Sequence, residues 1–170
     1  MAKPKPIKLE GSCHCGAVHF EVESSQVFPF CRCYCSICRK TQGGGGYSIN
    51  LSADARTLKI RGAKSLKVYH AKMKEKGDKR AHRSTAERNF CKECGSALWL
   101  FSPEWPELVH PFASAIDTPL PVPPDHTHLM LEFKAPWVEL EAHKGDQKFK
   151  HYPKESLADW HERHGLTNRA

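Results

Sequence analysis

Cysteine is the residue type in this sequence whose number and spacing could do chemistry. The eight cysteines form three groups: a C-x-C pair at Cys13 and Cys15, a cluster within residues 31–38, and a C-x-x-C pair at Cys91 and Cys94. Eight in 170 residues is about 5%, below the density of small disulfide-stapled secreted domains. Thiols that lie one or two residues apart in a reducing compartment usually bind metal, so the spacing predicts two zinc ions per chain.

The two outer pairs predict one closed site. A C-x-C pair in extended chain directs both thiols to one face, and a C-x-x-C loop brings two more together, so the pairs can complete a tetrahedron with Zn–S distances near ~2.3 Å. The site would join points about 80 residues apart, and structural zinc contributes on the order of 10–16 kcal/mol of folding free energy in small peptides. We therefore expect a structural zinc here. Its predicted ligands are Cys13, Cys15, Cys91 and Cys94.

The middle cluster predicts a different kind of site. Cys33, Cys35 and Cys38 supply three ligands within six residues, and the fourth position is left to water, to a substrate thiol or to Cys31. Three protein ligands with an open position are typical of catalytic zinc. Three thiolates and Zn²⁺ form an anionic site that is a poor Lewis acid but keeps a bound exogenous thiolate nucleophilic. We therefore predict thiol chemistry with these three cysteines as catalytic ligands, unless Cys31 closes the site and makes it structural.

Positive charge is concentrated in one segment. Residues 54–88 hold 12 Lys/Arg and 4 Asp/Glu, whereas the whole chain has a formal net charge of +7. Alternating apolar and basic residues in 58–61 and 66–69 predict a half-buried hairpin with a solvated outer face. A basic patch could also attract a phosphate backbone, an acidic protein or a small anion. Arg39 and Lys40, beside the three-cysteine cluster, are the further residues predicted to bind the carboxylates of a substrate.

Short β-type segments, separated by turn residues, must position these motifs. Besides the hairpin, strands are predicted at residues 18–22, 47–51, 97–101 and 128–133. Strands dominate and none is followed by a crossover helix, so the predicted fold class is all-β.

One helix is predicted, from Pro153 to His164. Asp159 and Arg163 are spaced as an i,i+4 pair, and Gly165 is placed as the C-terminal cap.

A chain of this length suffices for one domain. We expect a flexible arm over residues 1–10, a zinc-binding β domain over 11–145, and an extension over 146–170 whose helix packs on or near the domain. No apolar run approaches the ~18 residues that a membrane span requires, and the first residues lack a signal-peptide core. We therefore expect a cytoplasmic protein with no membrane partner.

Three stretches of the sequence resemble the motifs of one family, the glutathione-dependent formaldehyde-activating (Gfa) and centromere-protein-V-like proteins. Residues 11–20, GSCHCGAVHF, resemble the family's opening strand and first ligand pair. Residues 33–40, CYCSICRK, resemble its three-cysteine site, and residues 90–96, FCKECGS, resemble its closing ligand pair. Three cysteine motifs in the same order make the resemblance specific.

The resemblance implies a β-rich fold of the Mss4-like, β-tent type. It implies a structural zinc on the outer four cysteines and a functional zinc on the inner three. The activity attached to the family is formation of S-hydroxymethylglutathione from formaldehyde and glutathione, a carbon–sulfur lyase in the reverse direction. The sequence departs from the usual pattern at Cys31, an added thiol, at Tyr34, where a small or histidine-type residue is common, and in the longer glycine run at residues 43–46.

Two functions of different classes follow. The leading one is a zinc-dependent enzyme of the carbon–sulfur lyase type that acts on adducts between glutathione and a small aldehyde. The alternative is a non-catalytic zinc module whose basic face binds an acidic partner or nucleic acid. Nucleic acid is the less expected partner, because residues 54–88 offer only Tyr69 for stacking on a base.

Histidine is not predicted as a zinc ligand, because cysteine alone can satisfy two ions. This applies to the pair His126 and His128 and to the pair His161 and His164, which lie on a helix that we expect to be exposed.

Overall fold

The structure is a computed structural model, and it describes residues 5–42, 44–74, 77–141 and 143–166. In these ranges the chain forms fourteen strands in four sheets and two short α-helices. The predicted all-β class is therefore confirmed. Gly43 of the glycine run and the first four residues of the predicted arm lie outside the described residues.

The strands are short, and four of the ten strand pairs in the described ranges join strands that are not consecutive in the chain. In chain order they are β1 (Ile7–Ser12), β2 (His19–Ser24), β3 (Phe30–Cys33), β4 (Ser48–Asn50), β5 (Ala53–Asp54), β6 (Lys59–Arg61), β7 (Leu66–Tyr69), β8 (Lys72–Met73), β9 (His82–Arg83), β10 (Glu87–Cys91), β11 (Ala97–Phe101), β12 (Leu108–Pro111), β13 (His126–Leu129) and β14 (Gln147–Lys148). The sheets have the spatial orders β1-β2-β6, β5-β12-β11-β10-β7, β14-β13-β3-β4 and β8-β9.

The main core lies between the three-stranded and the five-stranded sheets. Leu9 of β1 and Phe20 of β2 contribute from one side, and Leu98 and Trp99 of β11 from the other. The rings of Phe20 and Trp99 meet edge to face with their centroids 5.0 Å apart. Large apolar side chains that alternate along each strand are thereby removed from water, which is the main driving force for this packing.

Order begins earlier in the chain than the sequence predicts. Strand β1 starts at Ile7 and pairs with β2 along its whole length, and Leu9 is fully buried. The predicted flexible arm over residues 1–10 is therefore wrong from Ile7 onward. Ile7 and Leu9 alternate with charged residues over too few positions to give a clear period, yet the burial of Leu9 anchors the strand.

The predicted basic hairpin does not form. Strand β6 pairs with β2, whereas β7 pairs with β10 in a different sheet. Gly62 separates the two strands with φ +80°, and a Cβ there would lie 1.8 Å from the carbonyl oxygen of Ala17. Because only glycine fits so close to another backbone at positive φ, the chain turns there and crosses to the second sheet.

The four-stranded sheet positions the functional residues. Its strand β3 pairs in parallel with β13, so that Cys33 lies opposite Leu129, and antiparallel with β4. Strand β14 adds to the other edge of β13 in parallel. This pairing places residues 30–34 beside residues 126–130, which are almost a hundred positions away in the chain.

The helices are α1 (Ser36–Gln42) and α2 (Leu157–Arg163). Helix α1 was not predicted, because its seven residues carry the cysteine motif and no apolar periodicity. Helix α2 confirms that a helix forms here, although it begins at Leu157 and not at the predicted Pro153, and Gly165 follows its end with φ +66°. The predicted Asp159–Arg163 pair is wrong, since the Arg163 guanidinium binds the Glu155 carboxylate at 2.7 Å.

The C-terminal extension is attached to the domain at two places. Strand β14 joins the four-stranded sheet, and His161 of α2 donates a hydrogen bond from Nε2 to the carbonyl oxygen of Phe28 at 2.6 Å. His161 is only 5% exposed, so the expectation of an exposed histidine is wrong for this residue. A histidine side chain can be buried when its N–H donates a hydrogen bond to a backbone carbonyl.

Candidate functional site

The four outer cysteines converge on one point. The Sγ atoms of Cys13, Cys15, Cys91 and Cys94 all lie within 4.8 Å of one another. The Cys15 sulfur is 3.6 Å from that of Cys13 and 3.8 Å from that of Cys91. A tetrahedron with Zn–S bonds of ~2.3 Å has edges of about 3.8 Å, so the spacing of these sulfurs fits a single Zn²⁺ ion.

Two tight turns present these thiols. Cys13 follows β1, its carbonyl oxygen accepts the Gly16 N–H at 3.0 Å, and its sulfur accepts the Val18 N–H at 3.2 Å. Cys91 ends β10, and its carbonyl oxygen accepts the Gly95 N–H at 2.8 Å. Gly16 and Gly95 have φ values of +74° and +76°, which glycine adopts without a steric penalty. The sequence patterns C-x-C-G and C-x-x-C-G therefore each specify a tight turn that ends in a glycine at positive φ.

The inner three cysteines form a second convergent group. Cys33 is the last residue of β3, Cys35 precedes α1, and Cys38 lies in the first turn of α1. Their Sγ atoms also lie within 4.8 Å of one another, and the Cys38 N–H donates to the Cys35 sulfur at 3.3 Å. The strand-to-helix corner thus gathers three thiols within six residues, as the spacing predicted.

The three thiols of this group lie close enough to perturb one another's pKa. Hydrogen bonds with Cys35 and Cys38, followed by burial, raise the pKa of Cys33 well above its ordinary value. Hydrogen bonds from Cys33 and Cys35 lower the pKa of Cys38, despite its burial, and the positive charge of Arg88 adds to this effect. Zn²⁺ suits such a group, because it can bind three thiolates and still accept a fourth ligand.

Cys31 is not brought into this group. It lies inside β3, where its backbone is opposite Asn50 and Thr127, and it is absent from the set of sulfurs that lie within 4.8 Å of one another. Burial alone raises the pKa of its thiol to about 12. The geometry does not support Cys31 as the fourth ligand.

A guanidinium group lies directly beside the three-cysteine group. The Nη1 and Nη2 atoms of Arg88, on β10, are both 3.7 Å from the sulfur of Cys38. Arg88 is the last residue of the basic segment 54–88, so one member of that segment reaches the site. A thiolate-rich centre is stabilised by such a charge.

Arg39 and Lys40, the residues predicted to bind substrate, are placed differently. Both lie on α1, where Lys40 is exposed and Arg39 is half-buried. Within the described parts of the chain, no hydrogen bond or ion pair joins either side chain to Cys33, Cys35 or Cys38. The structure therefore provides Arg88, from another sheet, as the cation in contact with the site.

The C-terminal extension also reaches this region. Residues 149–151 follow β13 through backbone hydrogen bonds, one of which runs from the Met130 N–H to the His151 carbonyl oxygen at 3.1 Å. Two-thirds of the Tyr152 side chain is exposed. Even so, desolvation, followed by the charges of the three cysteines, raises the pKa of its phenol. Tyr152 thus lies in the electrostatic field of the site.

A buried series of hydrogen-bonded side chains, from Tyr34 through His128 to Asp146, begins between the same cysteines. The hydroxyl of Tyr34, the residue between Cys33 and Cys35, is 2.9 Å from Nδ1 of His128. Nε2 of His128 is 3.1 Å from a carboxylate oxygen of Asp146. Tyr34 is 1% exposed and His128 is completely buried. Sequence reasoning missed this chain, since its members lie 94 and 18 positions apart and no local pattern links them.

Among the described residues, both convergent groups consist of cysteines. His126 and His128 contact the same carboxylate, that of Asp146, the first through its backbone N–H and the second through its ring Nε2. Arg32 donates from Nη2 to Nε2 of His126 at 2.9 Å, which extends this polar cluster along β3.

A cavity of about 490 Å³ opens on the other side of α1. It is lined by Cys13, Gly95 and Gln42, among others, and no lysine or arginine is among its lining residues. A substrate with carboxylate groups would meet His14 and Asp117 there but no permanently charged cation. The three-cysteine group with Arg88 is therefore the better candidate for an anion-binding reaction centre.

No helix in the described ranges is long and apolar enough to cross a membrane.

A family model and a curated relative identify one family. The family model described as glutathione-dependent formaldehyde-activating enzyme matches residues 8–132. A curated protein of Halomonas elongata, named "Putative glutathione-dependent formaldehyde-activating enzyme", is 59% identical over 158 residues, which covers 93% of this chain and 97% of that protein. A crystal structure of a Rhodobacter sphaeroides protein is 28% identical, covers 68% of this chain and 92% of that chain, and has a TM-score of 0.47.

Proposed function

This chain belongs to the glutathione-dependent formaldehyde-activating enzyme family, and from that premise we propose that it is a zinc-dependent enzyme acting on adducts between glutathione and a small aldehyde. The reaction type is that of a carbon–sulfur lyase, with formation of S-hydroxymethylglutathione from formaldehyde as the example. The observation that carries the proposal is the convergence of Cys33, Cys35 and Cys38 beside Arg88.

Each part of the site has a task in this reaction. The three cysteines would hold Zn²⁺, which supplies a fourth position where an exogenous thiol is stabilised as its thiolate. Arg88 is the group available to pair with a carboxylate of glutathione, because guanidinium and carboxylate form charge-assisted hydrogen bonds. The four outer cysteines would hold the structural zinc.

The reaction is balanced without an oxidant or reductant. A bond forms between the thiol sulfur of glutathione and the carbonyl carbon of the aldehyde, and the proton lost by the thiol ends on the former carbonyl oxygen. In the reverse direction the same carbon–sulfur bond breaks. The enzyme's contribution is to fix the sulfur in its reactive form and to orient it toward the carbonyl carbon.

The test is an exchange measurement in solution. Carbon-13 formaldehyde and glutathione interconvert with their adduct, and exchange NMR gives the rate with and without the protein. We expect the zinc-loaded protein to raise this rate and Cys35→Ser to remove the effect. The control is Cys31→Ser, which changes a thiol of the same strand outside the group. A protein that carries two zinc ions and leaves the exchange at its uncatalysed rate would overturn the proposal.

A non-catalytic zinc module remains the second candidate, because the basic segment is exposed. Strands β8 and β9 form a separate two-stranded sheet on which Lys72 and Arg83 are exposed. Binding of a random DNA duplex at physiological salt, with a steep salt dependence and no effect of glutathione on the metal, would favour this function.

A further inference from the structure

The chain from Asp146 through His128 to Tyr34 has a defined direction. An ionised carboxylate only accepts hydrogen bonds, so Nε2 of His128 carries the proton and donates it to Asp146. With one proton on the imidazole, Nδ1 is the acceptor, and the hydroxyl of Tyr34 donates to it. The order of donors therefore runs from Tyr34 inward to the carboxylate.

Asp146 is well anchored as the end of this chain. Its side chain is fully buried, and its carboxylate accepts the backbone N–H of His126 at 2.8 Å and that of His143 at 2.9 Å. Although burial disfavours the charged form, these hydrogen bonds together with His128 hold the pKa of Asp146 below its ordinary value. The carboxylate is thus a fixed point that ties strand β13 to the extension.

Tyr34 is the other end, and it lies between two thiols of the three-cysteine group. Its backbone N–H donates to the carbonyl oxygen of Leu129 at 3.0 Å, and its ring packs near those of Tyr47 and His128. The backbone, the ring and the hydroxyl of Tyr34 each make a contact, so residues 33–35 cannot rotate without breaking the hydrogen bond between Tyr34 and His128. A buried hydroxyl that loses its acceptor is costly, which makes this constraint firm.

We infer that Asp146 and His128 are positioning residues that act through Tyr34 to hold Cys33 and Cys35 in the arrangement that binds the second metal ion. The inference rests on the proposed zinc site of these cysteines. A phenylalanine at position 34 would fill the same space without the hydroxyl, so packing alone does not require tyrosine there. The hydrogen bonds from Tyr34 to His128 and from His128 to Asp146 instead hold the backbone between the two thiols in one orientation.

The first test compares Tyr34→Phe with Tyr47→Phe in the full-length, metal-loaded protein. The Tyr47 ring is 5.2 Å from that of Tyr34 between centroids, and its hydroxyl is not part of the chain, which makes it a matched control. Zinc affinity is measured by competition with a chromophoric chelator. Cadmium-113 NMR reports each site separately, and Cys35→Ser assigns the resonance of the three-cysteine site.

We expect Tyr34→Phe to weaken the binding of one zinc ion by about 10- to 100-fold, the range seen when groups behind metal ligands are removed. The cadmium resonance of the three-cysteine site should move, while that of the four-cysteine site and both resonances of Tyr47→Phe stay in place. Equal behaviour of the two tyrosine variants would overturn the inference. A wild-type protein that binds only one metal ion would instead overturn the proposed zinc site.

A double-mutant comparison tests whether Asp146 acts through Tyr34. Asp146→Asn should move the same cadmium resonance, and combining it with Tyr34→Phe should add little, because the two residues belong to one chain. Fully additive losses would show that Asp146 acts by another route and would contradict the inference. If Asp146→Asn does not fold, the inference is tested by the comparison of Tyr34→Phe with Tyr47→Phe. Those variants lose one hydroxyl each and keep the ring packing.

Discussion

Replacing Cys91 and Cys94 by serine would open the longest loop that the two cysteine groups close. A metal ion that bridges Cys15 and Cys91 joins positions 76 apart, whereas the three-cysteine group spans only residues 33–38. Treated as cross-links, loops of these lengths restrict the unfolded chain by about 4.5 and about 2 kcal/mol. Loss of the four-cysteine site should therefore cost about 2.5 kcal/mol more than loss of the other.

The matched control is Cys35→Ser combined with Cys38→Ser. Each pair contains one buried thiol, since Cys91 and Cys38 are 0% and 2% exposed, so the local cost of burying serine is similar. For a chain of this size the difference corresponds to a melting temperature lower by about 7 °C for the outer pair.

The assay is thermal unfolding of the zinc-loaded proteins under reducing conditions, with the zinc content of each variant measured first. We expect both variants to lose one zinc ion and the outer pair to melt at the lower temperature. Equal melting temperatures, or a lower one for the inner pair, would refute the division into a fold-closing site and a local site.

Three further outcomes are expected. Arg88→Met should lower kcat/KM for glutathione about tenfold through loss of a charge-assisted contact, measured by the exchange assay, while Lys40→Met should leave it unchanged; equal effects would contradict the role of Arg88. Cys31→Ser should keep two zinc ions by elemental analysis, and loss of one ion would restore Cys31 as a ligand. Burial lowers the pKa of His161, so the folded state takes up a proton less readily than the unfolded state. Its stabilising contribution is full above about pH 6.5 and is lost as the pH falls below that value. His161→Gln should flatten this pH dependence of the melting temperature relative to the wild type, and an unchanged slope would contradict the assignment.

The three-cysteine group and each of the two pairs of the four-cysteine group could be predicted from the sequence because the spacing within each motif is short. Thiols one, two or three residues apart are brought together by a single turn or helix corner, and such local geometry depends on few other residues. Strand β11 and helix α2 were predicted for the same reason, since alternation and capping are local signals.

The tertiary structure alone decided how distant segments meet. Whether residues 58–61 pair with 66–69 or with β2 depends on the backbone contact at Gly62, and the alternating pattern is the same in both cases. The placement of Arg88 beside Cys38 depends on how the five-stranded sheet lies against α1.

The same holds for the chain from Asp146 to Tyr34. It exists because β3 and β13 pair in parallel across almost a hundred residues, and a parallel pair needs a long connection that leaves no short-range signature. The sequence by itself therefore determined the metal-ligating motifs and the β-rich class, through interactions within a few residues. Tertiary packing decided which charges and hydroxyls surround those motifs, because long-range strand pairing is set by the burial of the whole core.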